Sequence, residues 1–270
     1  ADIPYPAYAE AECVIHLAAQ VSVADSMDDP KRYIDHNTYG TASLLTDLRR
    51  ATNLRRLIVA SSMSVYGEGG PNVKETEAVS PASVYGLTKY DQERLCLMWG
   101  QQHRIPTIAL RFFNVYGPRQ SLKNGYTGVL ANFASRLLAD QPPIVYEDGS
   151  QSRDFIYVDD VAAAVVHALE LRLSGAYNVC TGIATTVGEL SHMLTTLAKS
   201  PPGEVVGEFR VGDTRHCYGS PAKLEATGWK AKVSVEEAVA RTFAWMKTQP
   251  IPKDRHDAAT SEMRERGLLK

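Results

Sequence analysis

A doubly wound α/β protein built on a parallel sheet is what this sequence predicts, and three observations predict it. Apolar runs at 13–17, 57–60 and 106–112 have the composition of strands buried on both faces. Between them lie stretches with apolar residues at helical spacing, long enough for the crossovers that parallel strands need. The first two runs end in small or hydroxyl-bearing residues, Ala18-Ala19 and Ser61-Ser62. Those are the strand ends at which open α/β sheets receive ligands.

Taken in order, Cys13-Val14-Ile15-His16-Leu17 is the first strand. His16 reads as a packed structural histidine, because no second ligand lies at metal-binding spacing. Asp29-Pro30 is a helix start, with Asp as cap and Pro at the first helical position. The helix it opens carries Tyr33, Ile34, Asn37, Gly40, Leu44, Leu45 and Leu48. Asn37 falls on the apolar side, and a buried amide needs partners; it is either a structural clamp or a site residue. Leu57–Ala60 is the second strand and runs into Ser61-Ser62-Met63-Ser64-Val65-Tyr66-Gly67. A polar loop over 68–80 follows, and Ser80-Pro81 is expected to start a long helix reaching toward His103. The third strand ends in Arg111-Phe112-Phe113-Asn114-Val115-Tyr116-Gly117-Pro118-Arg119.

The long helix carries Tyr85 and Lys89, four residues apart and therefore on one face. An ammonium beside a phenol favours the phenolate, so Lys89 is expected to lower the pKa of Tyr85. A tyrosine so tuned can exchange a proton with an alcohol near neutral pH. The spacing alone is weak, since Tyr-x-x-x-Lys arises often by chance.

After Pro118 the texture changes. A helix at about 128–140, a strand at Ile144–Tyr146, and a helix to Leu171 capped by Asp159 or Asp160 are expected. They are followed by a strand at Tyr177–Cys180, a helix from Val187, a short helix near Pro221–Ala226 and a last one near Val235–Thr248. Residues 251–270 read as a charged, polar tail. Arg119, Arg153, Arg210 and Arg215 are isolated arginines near turns; two or more converging on one cleft would suit a diphosphate.

The bulk properties bound the function. The 270 residues carry a net charge of -2, with 44% hydrophobic and 22% charged residues. That balance gives no basic footprint for nucleic acid and no polybasic membrane patch. No apolar run approaches the ~18 residues needed to span a bilayer. Cys13, Cys96, Cys180 and Cys217 lack zinc or disulfide spacing, so a reducing, cytoplasmic setting is expected.

Several motifs occur together in order: His16-Leu17-Ala18-Ala19-Gln20, Asn37 with Gly40-Thr41, Ser61-Ser62 with Val65-Tyr66-Gly67, Tyr85-x-x-x-Lys89, Arg111 to Pro118, and Arg153-Asp154-Phe155-x-Tyr157-Val158-Asp159-Asp160. Jointly they resemble the extended short-chain dehydrogenase/reductases, specifically the NAD-dependent nucleotide-sugar epimerases and dehydratases of UDP-glucose 4-epimerase type. The likeness covers residues 1 to about 248. It implies a Rossmann-like sheet with a smaller C-terminal α+β substrate lobe. Residues 1–118 would be the remainder of the NAD-binding domain, rejoined by segments at about 144–180, and 119–250 mostly the nucleotide-sugar lobe. One departure is large: the glycine-rich turn and its βα units, expected at the start, are missing from this sequence. Ala1-Asp2-Ile3 looks like the family's Gly-Asp-Ile/Val segment. By that alignment roughly two βα units, on the order of 60 residues, would precede it in the functional polypeptide. Without them the chain is expected to bind NAD weakly and to leave the 13–17 strand as an apolar edge.

The resemblance also assigns roles. Tyr85 would be the acid/base, Lys89 would hold the ribose of NAD, and Ser62 would bond the sugar's 4-hydroxyl. Asp2, Ile3, Leu17, Ala18, Ala19, Gln20, Val21, Asn37, Ser61 and Phe113 would line the cofactor. Asn114, Val129, Tyr146, Arg153, Arg210, Asp213 and Cys217 would line the nucleotide sugar. The implied reaction inverts C4 of a UDP-hexose, and of a UDP-N-acetylhexosamine, through a 4-keto sugar. Related 4,6-dehydratases carry an Asp-Glu pair after the catalytic Ser/Thr, where this chain has Met63 and Ser64, which argues against dehydration. A 4-ketoreductase or decarboxylase of the same family is the alternative reading. A non-catalytic nucleotide-binding protein is the alternative from another class. The resemblance implies a homodimer through helices near 30–50 and 85–103.

Overall fold

The structure, a computed structural model, describes residues 6–121, 128–208 and 215–250. Asp2, Ile3, Arg210, Asp213 and the tail at 251–270 lie outside the described residues.

The chain opens with α1 (Pro6–Ala9) and β1 (Cys13–His16). Next come α2 (Val23–Asp28), α3 (Pro30–Tyr33), a π-helical turn (Ile34–Tyr39) and α4 (Gly40–Leu48). β2 (Arg56–Ser62) passes through a 3-10 turn (Met63–Tyr66) and a loop to α5 (Val84–His103). β3 (Thr107–Phe112) and β4 (Asn114–Tyr116) follow, then α6 (Val129–Leu138), β5 (Ile144–Val145), β6 (Ser152–Arg153), β7 (Phe155–Tyr157) and α7 (Val158–Glu170). The last elements are β8 (Gly175–Val179), β9 (Thr185–Thr186), α8 (Val187–Ala198), β10 (Glu204–Val205), β11 (His216–Cys217), α9 (Ala222–Glu225) and α10 (Val235–Met246).

The central sheet has the order β1-β2-β3-β8 and is parallel throughout. β2 is buried at every position, as a strand covered on both faces should be. Alternation along it feeds two cores. Ile58 packs with Ile108, Leu110, Val161 and Trp229 on the α7/α9 side, and Leu57 and Val59 pack with Leu45, Leu48 and Cys96 on the α4/α5 side. A third core, formed by Leu130, Phe133, Phe155, Leu190 and Phe243, lies among α6, α8 and α10. Among the described residues three small sheets, β4-β7, β5-β10 and β11-β6-β9, are built from strands after β3. Among the described residues β1 is the edge of the central sheet, and Ile15 on it is 41% exposed, unlike the strand buried on both faces that its composition suggests.

Two helix boundaries differ from the sequence reading. Ser83, not Ser80-Pro81, starts the long helix: its hydroxyl accepts from Gly86 N at 3.0 Å, which satisfies one of the free amides of the first turn. Asp159 and Asp160 lie inside the first turn of α7 instead of capping it. Asp160 accepts from Lys232 N at 3.0 Å and Val233 N at 3.1 Å, so its carboxylate ties the approach to α10 onto α7.

Candidate active site

The site lies at the carboxyl ends of the central strands, where β1 and β2 run out opposite the start of α5. Ser22 caps α2, and Ser26 on that helix accepts from Tyr85 N at 3.0 Å, which docks α2 against the head of α5. The π-helical turn brings Asn37 inward. An extra residue per turn rotates the side chains that follow, so Asn37 and Thr41 both reach the buried face. Gln20 N donates to Asn37 Oδ1 at 2.7 Å, and Asn37 Nδ2 donates to Gln20 O at 3.1 Å and to Thr88 Oγ1 at 3.0 Å. Asn37 is therefore a clamp that holds the loop after β1 against α5. That loop keeps Leu17 at 55% and Val21 at 58% exposed, with Ala18 exposed and Ala19 half-buried between them.

Ser62 ends β2 and is buried; its hydroxyl accepts from Ser64 N and donates to Ser64 Oγ, both at 3.2 Å, and it lies close enough to the phenol of Tyr85 to oppose the rise of its pKa. Serine and tyrosine are thus brought together as the sequence implied. Lys89 is not placed as expected. Its Nζ donates to Gln92 Oε1 at 2.6 Å. Burial raises the Tyr85 phenol above its usual range, opposed by Ser62. The expected lowering of Tyr85 by Lys89 is thus not found: the two share a helix face, but the ammonium is turned to Gln92. Lys89 is itself almost fully buried, which pulls its pKa down to about 8.

His16 is a packed residue: its Nε2 lies 2.8 Å from Thr41 Oγ1 and 3.1 Å from Gln92 Nε2. Burial, reinforced by the charge of Lys89, pulls its pKa down to about 4 from 6.5. A histidine lowered in the fold is protonated first in the unfolded chain, so stability is present above pH 6.5 and lost as pH falls toward about 4. The full loss is on the order of 3 kcal/mol. Urea midpoints measured from pH 7 to pH 4 should fall steeply in the wild type and more shallowly in His16→Gln; parallel curves would remove His16 as the cause.

Ser61, expected to line the cofactor, sends its hydroxyl into the core, where it donates to Glu93 Oε2 at 2.7 Å. Glu93 is paired with Arg111: Nη2 donates to Oε1 at 2.6 Å and Nε to Oε2 at 2.9 Å. Arg111 Nη1 donates to Tyr66 Oη at 2.8 Å, and Tyr66 Oη donates to Asn178 Oδ1 at 2.7 Å. This buried array joins α5 to β2, β3 and β8 directly beneath the site. Phe113 is buried with Tyr66, Val73, Cys180 and Cys217 just beyond the strand ends.

On the opposite side, Asn114 Oδ1 is buried without a partner, as a group awaiting a ligand donor would be. Arg153 Nη1 donates to Ser152 O at 2.9 Å and Arg215 O at 3.1 Å. Arg153 and Arg215 are thus neighbours; Arg215 is committed to Glu147 at 3.1 Å and Asp148 at 2.6 Å, whereas Arg153 has no carboxylate partner among the described residues. Arg119 is exposed just past Pro118. Val129 begins α6, and Tyr146 directly follows β5. Cys217 is 1% exposed and faces Gly69, where an added Cβ would stand 2.6 Å from its sulfur. Asp154, from the Arg153-Asp154-Phe155 motif, is a buried hub that accepts from Thr181 N at 2.8 Å and Gly182 N at 2.8 Å. Among the described residues no group of His, Cys, Asp and Glu is arranged to hold a metal ion.

A parallel sheet with a buried Tyr-x-x-x-Lys helix at its strand ends and a hydroxyl opposite the phenol defines a short-chain dehydrogenase/reductase type of site. The sequence profile of the NAD dependent epimerase/dehydratase family matches residues 5–180, and the chain belongs to that family. UDP-glucose 4-epimerase of Mycolicibacterium smegmatis is 33% identical over 242 residues, spanning 88% of this chain and 77% of the relative. The crystal structure of UDP-glucose 4-epimerase with UDP-glucose from Thermotoga maritima superposes with a TM-score of 0.81 at 34% identity, covering 87% of this chain and 77% of the other. UDP-N-acetylglucosamine 4-epimerase from Methanobrevibacter ruminantium superposes with a TM-score of 0.87 at 31% identity, covering 92% and 81%.

Proposed function

We propose that this protein is an NAD-dependent 4-epimerase of a UDP-hexose. The observation that carries the reading is the juxtaposition of Ser62, at the carboxyl end of β2, with the phenol of Tyr85, and with Lys89 one turn along the same helix. The residues present fit the nicotinamide-ribose end of the cofactor. Lys89 has donors left after its bond to Gln92, and the loop at 17–21 offers small side chains on a backbone held by Asn37. Leu17, Ala18, Ala19, Gln20 and Val21 would hold the cofactor with Lys89 and Phe113. When bound, NAD would supply a reversible hydride acceptor for the sugar's C4.

Tyr85 removes the proton from the C4 hydroxyl, with Ser62 beside the phenol to align that hydroxyl. The raised phenol would be brought into range by positive charge, from a bound nicotinamide and from Lys89 one turn along α5. A 4-keto sugar turned in the pocket would take the proton back from Tyr85 at its carbonyl oxygen, and return of the same hydride to the opposite face of C4 would give the epimer. Arg153 would hold the diphosphate through its guanidinium, and the unpartnered Oδ1 of Asn114 would accept from a sugar hydroxyl of the ligand. Val129 and Tyr146 would border the nucleoside, together with Arg210 and Asp213. Tyr39 at 70%, Leu87 at 48% and Met98 at 59% exposure give the outer side of the π turn and α5 an apolar surface that fits a homodimer.

The test is to mix the purified protein with NAD and UDP-glucose without any added reductant. UDP-galactose should accumulate to equilibrium; a requirement for NADH would favour the ketoreductase reading, and no conversion of any UDP-hexose would reject this one. A small residue at 217 supports room for an N-acetyl group at C2 of the sugar. Cys217→Tyr should therefore cut turnover of UDP-N-acetylglucosamine more than that of UDP-glucose. Equal losses on both would remove Cys217 from specificity.

A further inference from the structure

We propose that Gln92 is the positioning residue for Lys89, holding its ammonium through a neutral acceptor so that its charge and remaining donors serve the cofactor and Tyr85; this rests on the reading of Tyr85 and Lys89 just given. Gln92 is fully buried on α5, one turn beyond Lys89. Lysine only donates, so the bond of 2.6 Å from Lys89 Nζ fixes which end of the amide is oxygen. The amide nitrogen must then face away, and it lies 2.9 Å from Thr41 Oγ1 and 3.3 Å from Ala18 O. Thr41 is held in turn, because its hydroxyl donates to Asn37 O at 2.6 Å. Both ends of the amide are therefore pinned, by α5 on one side and by α4 and the end of β1 on the other. Nζ is aimed by groups that do not themselves react.

The choice of an amide has a chemical consequence. A carboxylate at this position would draw Lys89 into an ion pair and cancel the charge it offers to a ligand. An amide takes one of its donors and leaves the charge. The ionisable groups acting on Lys89 are few. His16 faces it from β1 and is neutral at pH 7, and Cys96 and Tyr85 share its helix. The π turn and α4 present the neutral Asn37 and Thr41, and the next carboxylate, Glu93, is committed to Arg111 and to Ser61 of β2. With no carboxylate against it, burial can hold Lys89 near 8.

The experiment reads Lys89 directly by NMR of the holoprotein labelled with [ε-¹³C]lysine, its signal assigned by loss in Lys89→Arg. Gln92→Glu should raise the titration point of Lys89 by about one pH unit or more, and Gln92→Leu, which removes the acceptor from the charged form, should lower it. Gln92→Leu should also weaken NAD binding about tenfold, the effect of one lost hydrogen bond to a charged group. Gln92→Glu, with an acceptor in the same place, should restore most of that affinity while moving the acid limb of kcat/KM to higher pH. A purely packing role would lower stability in both variants without moving Lys89 in opposite directions. Lys89 titrating at the wild-type point in both overturns the proposal, and if Gln92→Leu does not fold, the Gln92→Glu titration decides. The titration needs no turnover. A protein that epimerises no UDP-hexose rejects the functional reading alone, whereas an unmoved Lys89 rejects this one.

Discussion

Tyr85→Phe is expected to lower kcat for C4 epimerisation by about 100- to 10,000-fold, the range a positioned general acid–base group contributes. Only the hydroxyl is removed. The backbone amide of Tyr85 still donates to Ser26, and its carbonyl still accepts from Thr88 at 3.0 Å, so the head of α5 keeps its anchors. Binding of the nucleotide sugar should change little, because the residues proposed to hold its diphosphate and nucleoside, among them Asn114 and Arg153, are untouched. Single-turnover kinetics with isothermal titration of UDP-glucose checks both halves of the expectation. A variant that retained more than about a third of wild-type kcat would be incompatible with proton transfer through this phenol.

The second large effect concerns stability. Arg111 and Glu93 are 4% and 2% exposed and joined by two charge-assisted hydrogen bonds. Removing one partner leaves the other charge buried and unpaired, which typically costs about 3–5 kcal/mol. Glu93→Ala should destabilise by that amount in urea unfolding, since it strands the guanidinium and also takes the acceptor from Ser61. The double variant Glu93→Leu/Arg111→Met should recover most of the loss, because the pair's attraction is largely offset by the desolvation of both charges. A single variant that loses less than about 1 kcal/mol would mean that the guanidinium finds water or another acceptor there.

The pattern of what the sequence disclosed follows from how far each feature depends on distant residues. The central strands were legible because a strand covered on both faces must be apolar at nearly every position, as 57–60 is. Of the two-residue strands only the one at Ile144–Val145, inside the expected strand at Ile144–Tyr146, was legible. Ser152-Arg153 pairs with His216-Cys217 across more than sixty residues, and nothing in either dipeptide signals the other. That Tyr85 and Lys89 share a helix face and that Ser62 stands at a strand end was legible from spacing, while their roles were assigned only through the family resemblance. Spacing does not fix where a long side chain turns, so it could not show that Lys89 would lie on Gln92 while the phenol remained raised by burial. Gln92, Glu93 and Thr41 gave no signal: a polar residue on a helix reads as a solvent-facing position until its neighbours are known. The π turn that brings Asn37 inward was equally hidden, because its apolar residues still fit a regular helix repeat.

The most direct measurement follows the hydrogen at C4. UDP-[4-²H]glucose is incubated in ordinary water with the protein and NAD, and the UDP-galactose formed is analysed by mass spectrometry and NMR. Removal and internal return of the C4 hydrogen, with Tyr85 handling only the hydroxyl proton, predicts full retention of deuterium at C4 of the product. Washout of deuterium to solvent, or its appearance at another carbon, would contradict the proposed role of the site.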